Sequence, residues 1–342
     1  MNNKKYWAER TVQLKESQLN KGVKYYKDLE KQYTIAMKRI ERDIYNWYTR
    51  FAENNEISYA EAKQLLNSKE LKELRWNVKE YIKHGRENAV NEMWIRELEN
   101  ASSRYHISRL ESLKLQMQQH VEVLYGNEID GLENFMKDVY KDNYYRLAFD
   151  IGKNIGISSS FSALDTRKIE KVISRPWTPD GLNFSERVWG KHRPELINFL
   201  EKELTQSIIR GENPKTLVNK LSKKFNSSKS QAANLLFTES AFFASASTQD
   251  CFNDLDVEEY DIVATLDLRT SEICQNMDGK TFKMEDYKIG VTAPPFHVKC
   301  RTTTAPSIKD LEGMRSARGL DGKVYYIPAD MTFKEWYKRD IE

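Results

Sequence analysis

The sequence predicts a mainly α-helical protein, with an elongated helical N-terminal half, a helical middle segment and a small α+β C-terminal domain. Proline is absent from residues 1–175, and all eight prolines lie between Pro176 and Pro328. Because proline blocks helix interiors, a long proline-free stretch favours helix. Apolar residues in that stretch recur at steps of three and four, whereas short β-rich runs follow Tyr260. We therefore predict three domains, over residues 1–151, 152–256 and 257–342.

The N-terminal half shows helical apolar faces and helix-start signals. One face consists of Met37, Ile40, Ile44, Trp47 and Phe51, and a second of Leu110, Leu113, Met117, Val121 and Leu124. A third comprises Leu71, Leu74, Val78 and Ile82. Ser58 with Glu61, and Asn67 with Glu70, have the spacing of capping boxes. Aromatic residues at helical spacing, such as Trp47, Trp76, Tyr81 and Trp94, favour core packing or an interface between subunits over a platform for stacking bases.

The middle segment is predicted to hold four helices besides a short one that follows the loop in Arg175–Trp189. The first begins after Asp165, an N-cap residue, and continues to about Ser174. The second runs from Pro194 to Arg210 and ends at Gly211. Asn213 and Pro214 start the third, which ends near Phe225, and a long fourth helix covers 228–252. In the C-terminal domain, strands are predicted at 261–266, 280–284, 301–304 and 323–327.

Charge and hydropathy exclude some functional classes. The net charge is +3, from 54 basic and 51 acidic side chains that are interleaved along the chain. No separate basic tail indicates nucleic-acid binding, so composition does not support DNA contact. No uninterrupted apolar stretch is long enough for a membrane helix, and the N-terminus lacks an apolar signal core. We expect a protein without membrane association that is made in a cytoplasm.

The densest group of chemically active residues lies between Asp267 and Arg301. His297 and Cys300 are two residues apart, which allows both side chains to reach one ion from a tight turn. Cys274 could supply a third ligand, and Asp267 or a water molecule the fourth. Thiolates with imidazole favour zinc over hard cations. The residues therefore suggest a structural zinc site.

Two other interpretations stay open from the residues alone. Cys274 or Cys300 could act as a nucleophile with His297 as base, although a third orienting group and an oxyanion site are not evident. Alternatively the group is purely structural. In that case Asp267 and Arg269 pair or cap locally, Asp278-Gly279 forms a hairpin turn, and the cysteines are small buried groups.

The same residues resemble a known family signature. The run from Asp267-Leu-Arg-Thr270 through Cys274, Asp278-Gly279-Lys-Thr-Phe282 and Pro294-Pro-Phe-His297-Val-Lys-Cys300-Arg301 to Pro306 resembles that of Mu F-like minor head proteins, also called head morphogenesis proteins. The similarity extends upstream to the segment Trp177–Trp189 and to Thr238-Glu239, and it covers about residues 165–306. One departure is Thr302, where relatives often carry a second cysteine.

The resemblance implies a structural virion protein of a tailed phage and not an enzyme. It implies a position inside the capsid near the portal vertex and a function in head assembly, DNA packaging or genome delivery. The implied partners are the portal protein and also scaffold or major capsid protein, with DNA as a partner bound without sequence specificity. The alternative is a zinc-dependent, nuclease-like enzyme that acts on DNA inside the particle, built on Asp267, Cys274, His297 and Cys300.

Overall fold

The structure of the chain is a computed structural model. It describes residues 3–52, 57–74, 108–155, 164, 166–307, 314–318 and 324–328, together with 335, 338 and 339. Several predictions therefore lie outside the described residues, namely those on Trp76, Val78, Tyr81, Ile82, Trp94 and Asp165.

Helices dominate the described residues, and a small antiparallel sheet lies near the C-terminal end. The helices are α1 (Asn3–Phe51), α2 (Tyr59–Ala62), α3 (Arg109–Ile155), α4 (Thr166–Ser174), α5 (Phe184–Arg187), α6 (Arg193–Ile209), α7 (Pro214–Asp254) and α8 (Glu272–Met277), with a π-helix at Val188–His192 and a short 3-10 helix at Met284–Asp286. The strands are β1 (Glu259–Val263), β2 (Thr281–Lys283), β3 (Thr303–Pro306), β4 (Met314–Arg318) and β5 (Val324–Pro328). The predicted fold class, mainly α with a small α+β C-terminal part, is confirmed.

The predicted apolar faces of α1 and α3 are the buried faces. Ile40 and Ile44 of α1 are fully buried, as are Leu113 and Val121 of α3. Burying a side chain of this size stabilises the fold by about 1.5–3 kcal/mol, which outweighs the small differences in helix propensity. Packing of these faces therefore stabilises two helices of 49 and 47 residues.

Both predicted capping boxes are present. The Ser58 hydroxyl accepts from the Glu61 backbone N–H, and the Glu61 carboxylate accepts from the Ser58 N–H. At the next helical stretch, residues 68–74, the Asn67 side chain accepts from the N–H of Glu70, whose carboxylate accepts from the N–H of Asn67. Each box satisfies backbone donors that the first turn of a helix leaves unpaired.

The predicted break between two helices near Phe225 is wrong, because α7 is one helix of 41 residues. Asn226, Ser227 and Ser228 are weak helix formers, but none of them forces a break as proline would. Phe225 and Ser228 are both buried, with 3% and 2% of their surface exposed. Tertiary packing on this side of the helix therefore overrides the local sequence preference.

Contacts group the chain into two compact units, each assembled from separate stretches of sequence. The first comprises residues 1–26, 133–176 and 233–342, and the second comprises residues 27–132 and 177–232. The three domains predicted from the sequence, over residues 1–151, 152–256 and 257–342, divide the chain differently, and that division stays a prediction.

The first unit contains the sheet. Strand order is β2-β1-β3, with both neighbours antiparallel to β1, and β4 pairs with β5 in a separate antiparallel ladder. Its core joins helical and sheet residues, since Tyr144 and Phe252 pack in one buried cluster with Tyr260, Ile262 and Ala305. The sheet is thus anchored on α3 and α7.

The second unit is helical and has an aromatic centre. Tyr33 of α1 makes edge contacts with Tyr125 of α3 and Phe225 of α7, at centroid distances of 6.3 and 6.4 Å. Arg193 of α6 forms a charge-assisted pair with the buried Glu122 of α3. Among the described residues of the whole chain, no helix has both the length and the apolar character needed to cross a bilayer.

Candidate metal centre

The three predicted sulfur and imidazole ligands lie on two segments of the first unit. Cys274 is in α8, within the connection between β1 and β2, and His297 and Cys300 are in the loop that leads to β3. The strands β2 and β3 flank β1 on opposite sides. Pairing with one central strand therefore brings together two connections that are more than twenty residues apart in sequence.

A tight turn orients His297 and Cys300 toward the same point. The Cys300 N–H donates to the His297 carbonyl at 3.2 Å, and Lys299 between them is left-handed, with φ 59°. The Lys299 N–H donates to the hydroxyl of Thr238 in α7 at 3.3 Å. The sequence spacing thus forms the predicted turn, and α7 supports it from one side.

The ligand atoms of Cys274, His297 and Cys300 all lie within 4.8 Å of one another. Cys274 Sγ is 3.1 Å from His297 Nε2 and 3.6 Å from Cys300 Sγ. Both cysteines are buried, with 2% and 1% of their surface exposed, whereas His297 is partly exposed. The group is therefore a buried sulfur pair with an imidazole on its solvent side.

Hydrogen bonding assigns the His297 tautomer. His297 Nδ1 lies 2.9 Å from the Val298 carbonyl oxygen, which can only accept, so Nδ1 carries the proton. Nε2, which lies 3.1 Å from Cys274 Sγ, is then the ring nitrogen available to a metal ion. This arrangement, with one ring nitrogen donating to a carbonyl and the other free to coordinate, is typical of histidine ligands.

The two thiols share a proton unequally. The hydrogen bond with Cys274 lowers the pKa of Cys300, a shift that burial opposes and the positive charge of Lys15 reinforces. The same hydrogen bond, together with burial, raises the pKa of Cys274. The pair therefore favours one thiolate, at Cys300, with the Cys274 thiol as its donor.

Lys15 and Thr302 belong to the surroundings of the site; Thr302 stands out in the sequence as a departure from the family pattern, whereas Lys15 was not predicted. Burial lowers the pKa of the Lys15 ammonium, while its electrostatic interactions with Cys300 and Cys274 oppose that shift. Thr302 is buried beside the site, and its hydroxyl opposes the rise in the pKa of Cys274. No spacing in the sequence links Lys15, in α1, to residues at the other end of the chain.

Asp267 is held by an ion pair. Both of its carboxylate oxygens accept from the Arg301 guanidinium, at 2.5 and 2.6 Å, and Oδ1 also accepts from the Arg269 N–H. Burial by itself would raise the pKa of Asp267, but the hydrogen bonds and charge of Arg301 prevail and lower it. The structure thus gives Asp267 a partner other than the sulfur and imidazole group, and its role as a ligand stays a prediction.

The expected hairpin turn at Asp278-Gly279 has a different form. Gly279 has φ 75° and follows α8, and its N–H donates to the Ile262 carbonyl. Asp278 Oδ1 accepts from the Ala264 N–H at 2.8 Å. The pair therefore ends a helix and returns the chain to β1, since the β1–β2 connection is too long for a two-residue hairpin.

The geometry of the three side chains fits a zinc ion. Zinc–sulfur bonds of about 2.3 Å in a tetrahedral arrangement place two sulfur ligands roughly 3.8 Å apart, close to the observed 3.6 Å. Two thiolates and an imidazole nitrogen form a soft ligand set that favours zinc over magnesium or calcium. The three side chains are close enough to hold a metal, and binding itself stays a prediction.

Comparisons with known proteins agree with the resemblance seen in the sequence. The family described as "Phage Mu protein F like protein" matches residues 198–305. "Minor head protein GP7" of Bacillus phage SPP1 is 26% identical over 255 residues, which cover 68% of this chain and 79% of that protein. No solved structure matches the chain significantly.

The resemblance to Mu F-like minor head proteins is therefore confirmed over residues 198–305. This matched region extends from α6 to β3 and contains Cys274, His297 and Cys300. The similar protein of SPP1 is named a minor head protein, which agrees with a structural role in a phage head.

Proposed function

We propose that this chain, a Mu F-like protein over residues 198–305, is a structural minor head protein of a tailed phage that associates with the portal inside the head. It would act in head assembly, DNA packaging or genome delivery. We propose further that Cys274, His297 and Cys300 hold a zinc ion with a structural role. Scaffold protein, major capsid protein and DNA would be further partners of the chain.

The observation that carries the proposal is the coincidence of the family match with the sulfur and imidazole group. The matched residues end at 305, within β3, and enclose the whole group. The similarity to the SPP1 minor head protein covers about two thirds of the chain and is not confined to this region. Both findings support a protein of the phage head.

A metal at this site would stabilise the loop before β3. The connection between β2 and β3 contains a short 3-10 helix and one isolated bridge, and its backbone hydrogen bonds from Tyr287 to Cys300 close turns within the connection itself. An ion bound by Cys274 of α8 and by two side chains of this loop would link it to the sheet. Small domains commonly gain folding free energy from a bound ion in this way.

Association with the portal can be tested by co-expression. The full chain with an affinity tag is expressed together with the portal protein of the same phage, and the purified material is analysed by size exclusion and mass spectrometry. We expect the chain to co-elute with portal oligomers at a fixed ratio. Separate elution at micromolar concentrations of both proteins would contradict the portal part of the proposal.

Metal binding is tested separately. We expect about one zinc ion per purified chain by inductively coupled plasma mass spectrometry, because two thiolates and an imidazole are ligands that bind zinc well. His297→Ala should lose the metal, whereas Cys251→Ala should retain it because Cys251 lies outside the group. Metal-dependent DNA cleavage that His297→Ala abolishes would favour the enzyme alternative instead.

A further inference from the structure

We infer that Cys274 and Cys300 form a reversible disulfide on oxidation by a peroxide, and that this bond and a bound metal ion exclude each other. The two sulfur atoms are 3.6 Å apart and lie on different segments, α8 and the loop before β3. The inference adds a modification site to the proposed metal centre. The exclusion of a bound metal and the biological setting rest on the proposed function, whereas formation of the disulfide does not.

The geometry allows the bond with small side-chain movements. A disulfide requires a sulfur separation of about 2.05 Å, so the two atoms must approach by roughly 1.5 Å. They already touch across a small buried cluster with Ala264, against which Phe296 packs. Neither sulfur has to leave this cluster, and the turn at Lys299 keeps Cys300 directed toward Cys274.

The chemistry balances with hydrogen peroxide as the oxidant. The sulfur of Cys300 attacks one peroxide oxygen, the O–O bond breaks, and a sulfenic acid and one water molecule result. The Cys274 sulfur then attacks the sulfenic sulfur, the S–O bond breaks, and a second water molecule leaves. The two thiols together lose two electrons and two protons. The peroxide takes up these electrons and protons and becomes two water molecules. A bound zinc ion keeps its charge but loses both sulfur ligands.

Burial selects the kind of oxidant. Both cysteines are almost completely buried, and the partly exposed His297 is 3.1 Å from Cys274 Sγ. A water-sized peroxide can reach such a pair, whereas a bulky aromatic disulfide reagent requires local opening. Cys251 serves as an internal comparison, since it is also buried and lies outside the group.

The setting follows from the proposed function. A phage head protein is made in the reducing host cytoplasm, where thiols persist and can bind metal. Particles released from the cell enter an oxidising medium. The Cys274–Cys300 pair would then change from a metal-binding dithiol to a disulfide, which still links the same two segments.

The test uses the purified full-length wild-type chain, with and without prior removal of metal by a chelator. Each sample is treated with hydrogen peroxide and alkylated, then digested and mapped by mass spectrometry, while a colorimetric chelator follows zinc release. We expect a peptide linked through Cys274 and Cys300, faster linkage after metal removal, and zinc release that parallels linkage. A reducing agent should restore both thiols and zinc binding.

Three results would overturn the inference: sulfinic or sulfonic acid at either cysteine without the linked peptide, linkage through Cys251 instead, or linkage in a chain that retains its zinc. A matched Cys300→Ser variant should give no linked peptide. Because the wild-type chain alone decides the outcome, a folding defect in the variant would not affect the result. The outcome is also separable from the proposed function, as a chain that forms the disulfide but is absent from virions would contradict only the head assignment.

Discussion

Asp267 and Arg301 form a doubly hydrogen-bonded ion pair next to the candidate metal centre. Their side chains are only 12% and 25% exposed. At this level of burial, removing one charge leaves its partner incompletely solvated. The resulting loss of folding stability is larger than for a surface ion pair. The pair therefore contributes to folding of the C-terminal part whether or not metal is bound.

This arrangement predicts different effects for Asp267→Asn and His297→Ala. Asp267→Asn should lower the free energy of unfolding by about 2–4 kcal/mol, because Arg301 loses its charged acceptor. The metal content should stay near that of the wild-type chain. Chemical denaturation combined with metal analysis of the folded protein measures both quantities.

His297→Ala provides the matched comparison, with loss of metal as its main effect. If Asp267→Asn folds normally at low temperature and yet loses the metal, then Asp267 is a ligand. That result would contradict the assignment of Asp267 to the ion pair alone.

Glu128 is a fully buried carboxyl group in the second unit. Tyr33 donates to one of its oxygens at 2.7 Å, and the other oxygen has no hydrogen-bond partner among the described residues. Burial raises the pKa of Glu128 to about 7, and the hydrogen bond from Tyr33 offsets only part of that effect. The folded chain therefore retains a proton that the unfolded chain releases near pH 4.5.

The raised pKa of Glu128 predicts lower stability at higher pH. Between about pH 4.5 and 7 the folded state binds more protons, so the free energy of unfolding falls as pH rises. The full effect, reached above pH 7, is on the order of 3 kcal/mol. Glu128→Gln should remove this dependence and stabilise the protein at pH 8, as measured by denaturation at pH 5, 6, 7 and 8.

Glu133→Gln, on the same helix, is the control, because Glu133 is 42% exposed and pairs with Lys137. It should leave the slope of stability against pH unchanged. An equal change of slope in both variants would show that the burial of Glu128 is not the cause.

At the scale of the elements, two tyrosines couple α3 to α7 in the first unit. Tyr140 donates to Asp250, and Tyr144, one turn further, donates to Asp254 at 2.6 Å. Asn143 of α3 adds a bond of 3.0 Å to the Ala244 carbonyl of α7. Hydrogen bonds repeated at one-turn spacing fix the register of two long helices, which apolar packing alone specifies less sharply.

Tyr144→Phe should therefore destabilise the protein by about 1–2 kcal/mol, because it leaves the Asp254 carboxylate without this donor. Tyr45→Phe, at a tyrosine with 37% exposure, should change stability by much less. A double-mutant cycle with Asp254→Asn isolates the pair. A coupling energy indistinguishable from zero would contradict a role of this bond in helix register.

The sequence predicts elements well where local signals and tertiary packing agree. The apolar faces of α1 and α3, the Asn67 capping box and the end of α6 at Gly211 all depend on residues within a few turns of each other. The continuity of α7 through Asn226–Ser228 depends on which side chains are buried. Local helix propensity carries no information about that burial. Strand β4 was missed because Met314–Arg318 has little β-branched or aromatic character.

At the scale of the whole molecule, the three side chains that lie close enough to hold a metal were identifiable before the fold was known. The His297–Cys300 spacing and the soft character of thiolate and imidazole indicated a shared ion, and family resemblance pointed to the same residues. The local contact of Asp267 with Arg269 was predicted and is present, whereas its Arg301 partner and the approach of Lys15 were not predictable, since both depend on long-range contacts. Chain topology sets such contacts, and local patterns do not encode them.

The central claim is that the chain is a structural component of a phage head. Quantitative mass spectrometry of purified procapsids and virions tests it most directly, with gradient fractions of the lysate for comparison. We predict peptides of this chain in both particles, at a fixed and low copy number relative to the major capsid protein. If the protein is present in the infected cell but absent from both procapsids and virions, the claim is contradicted.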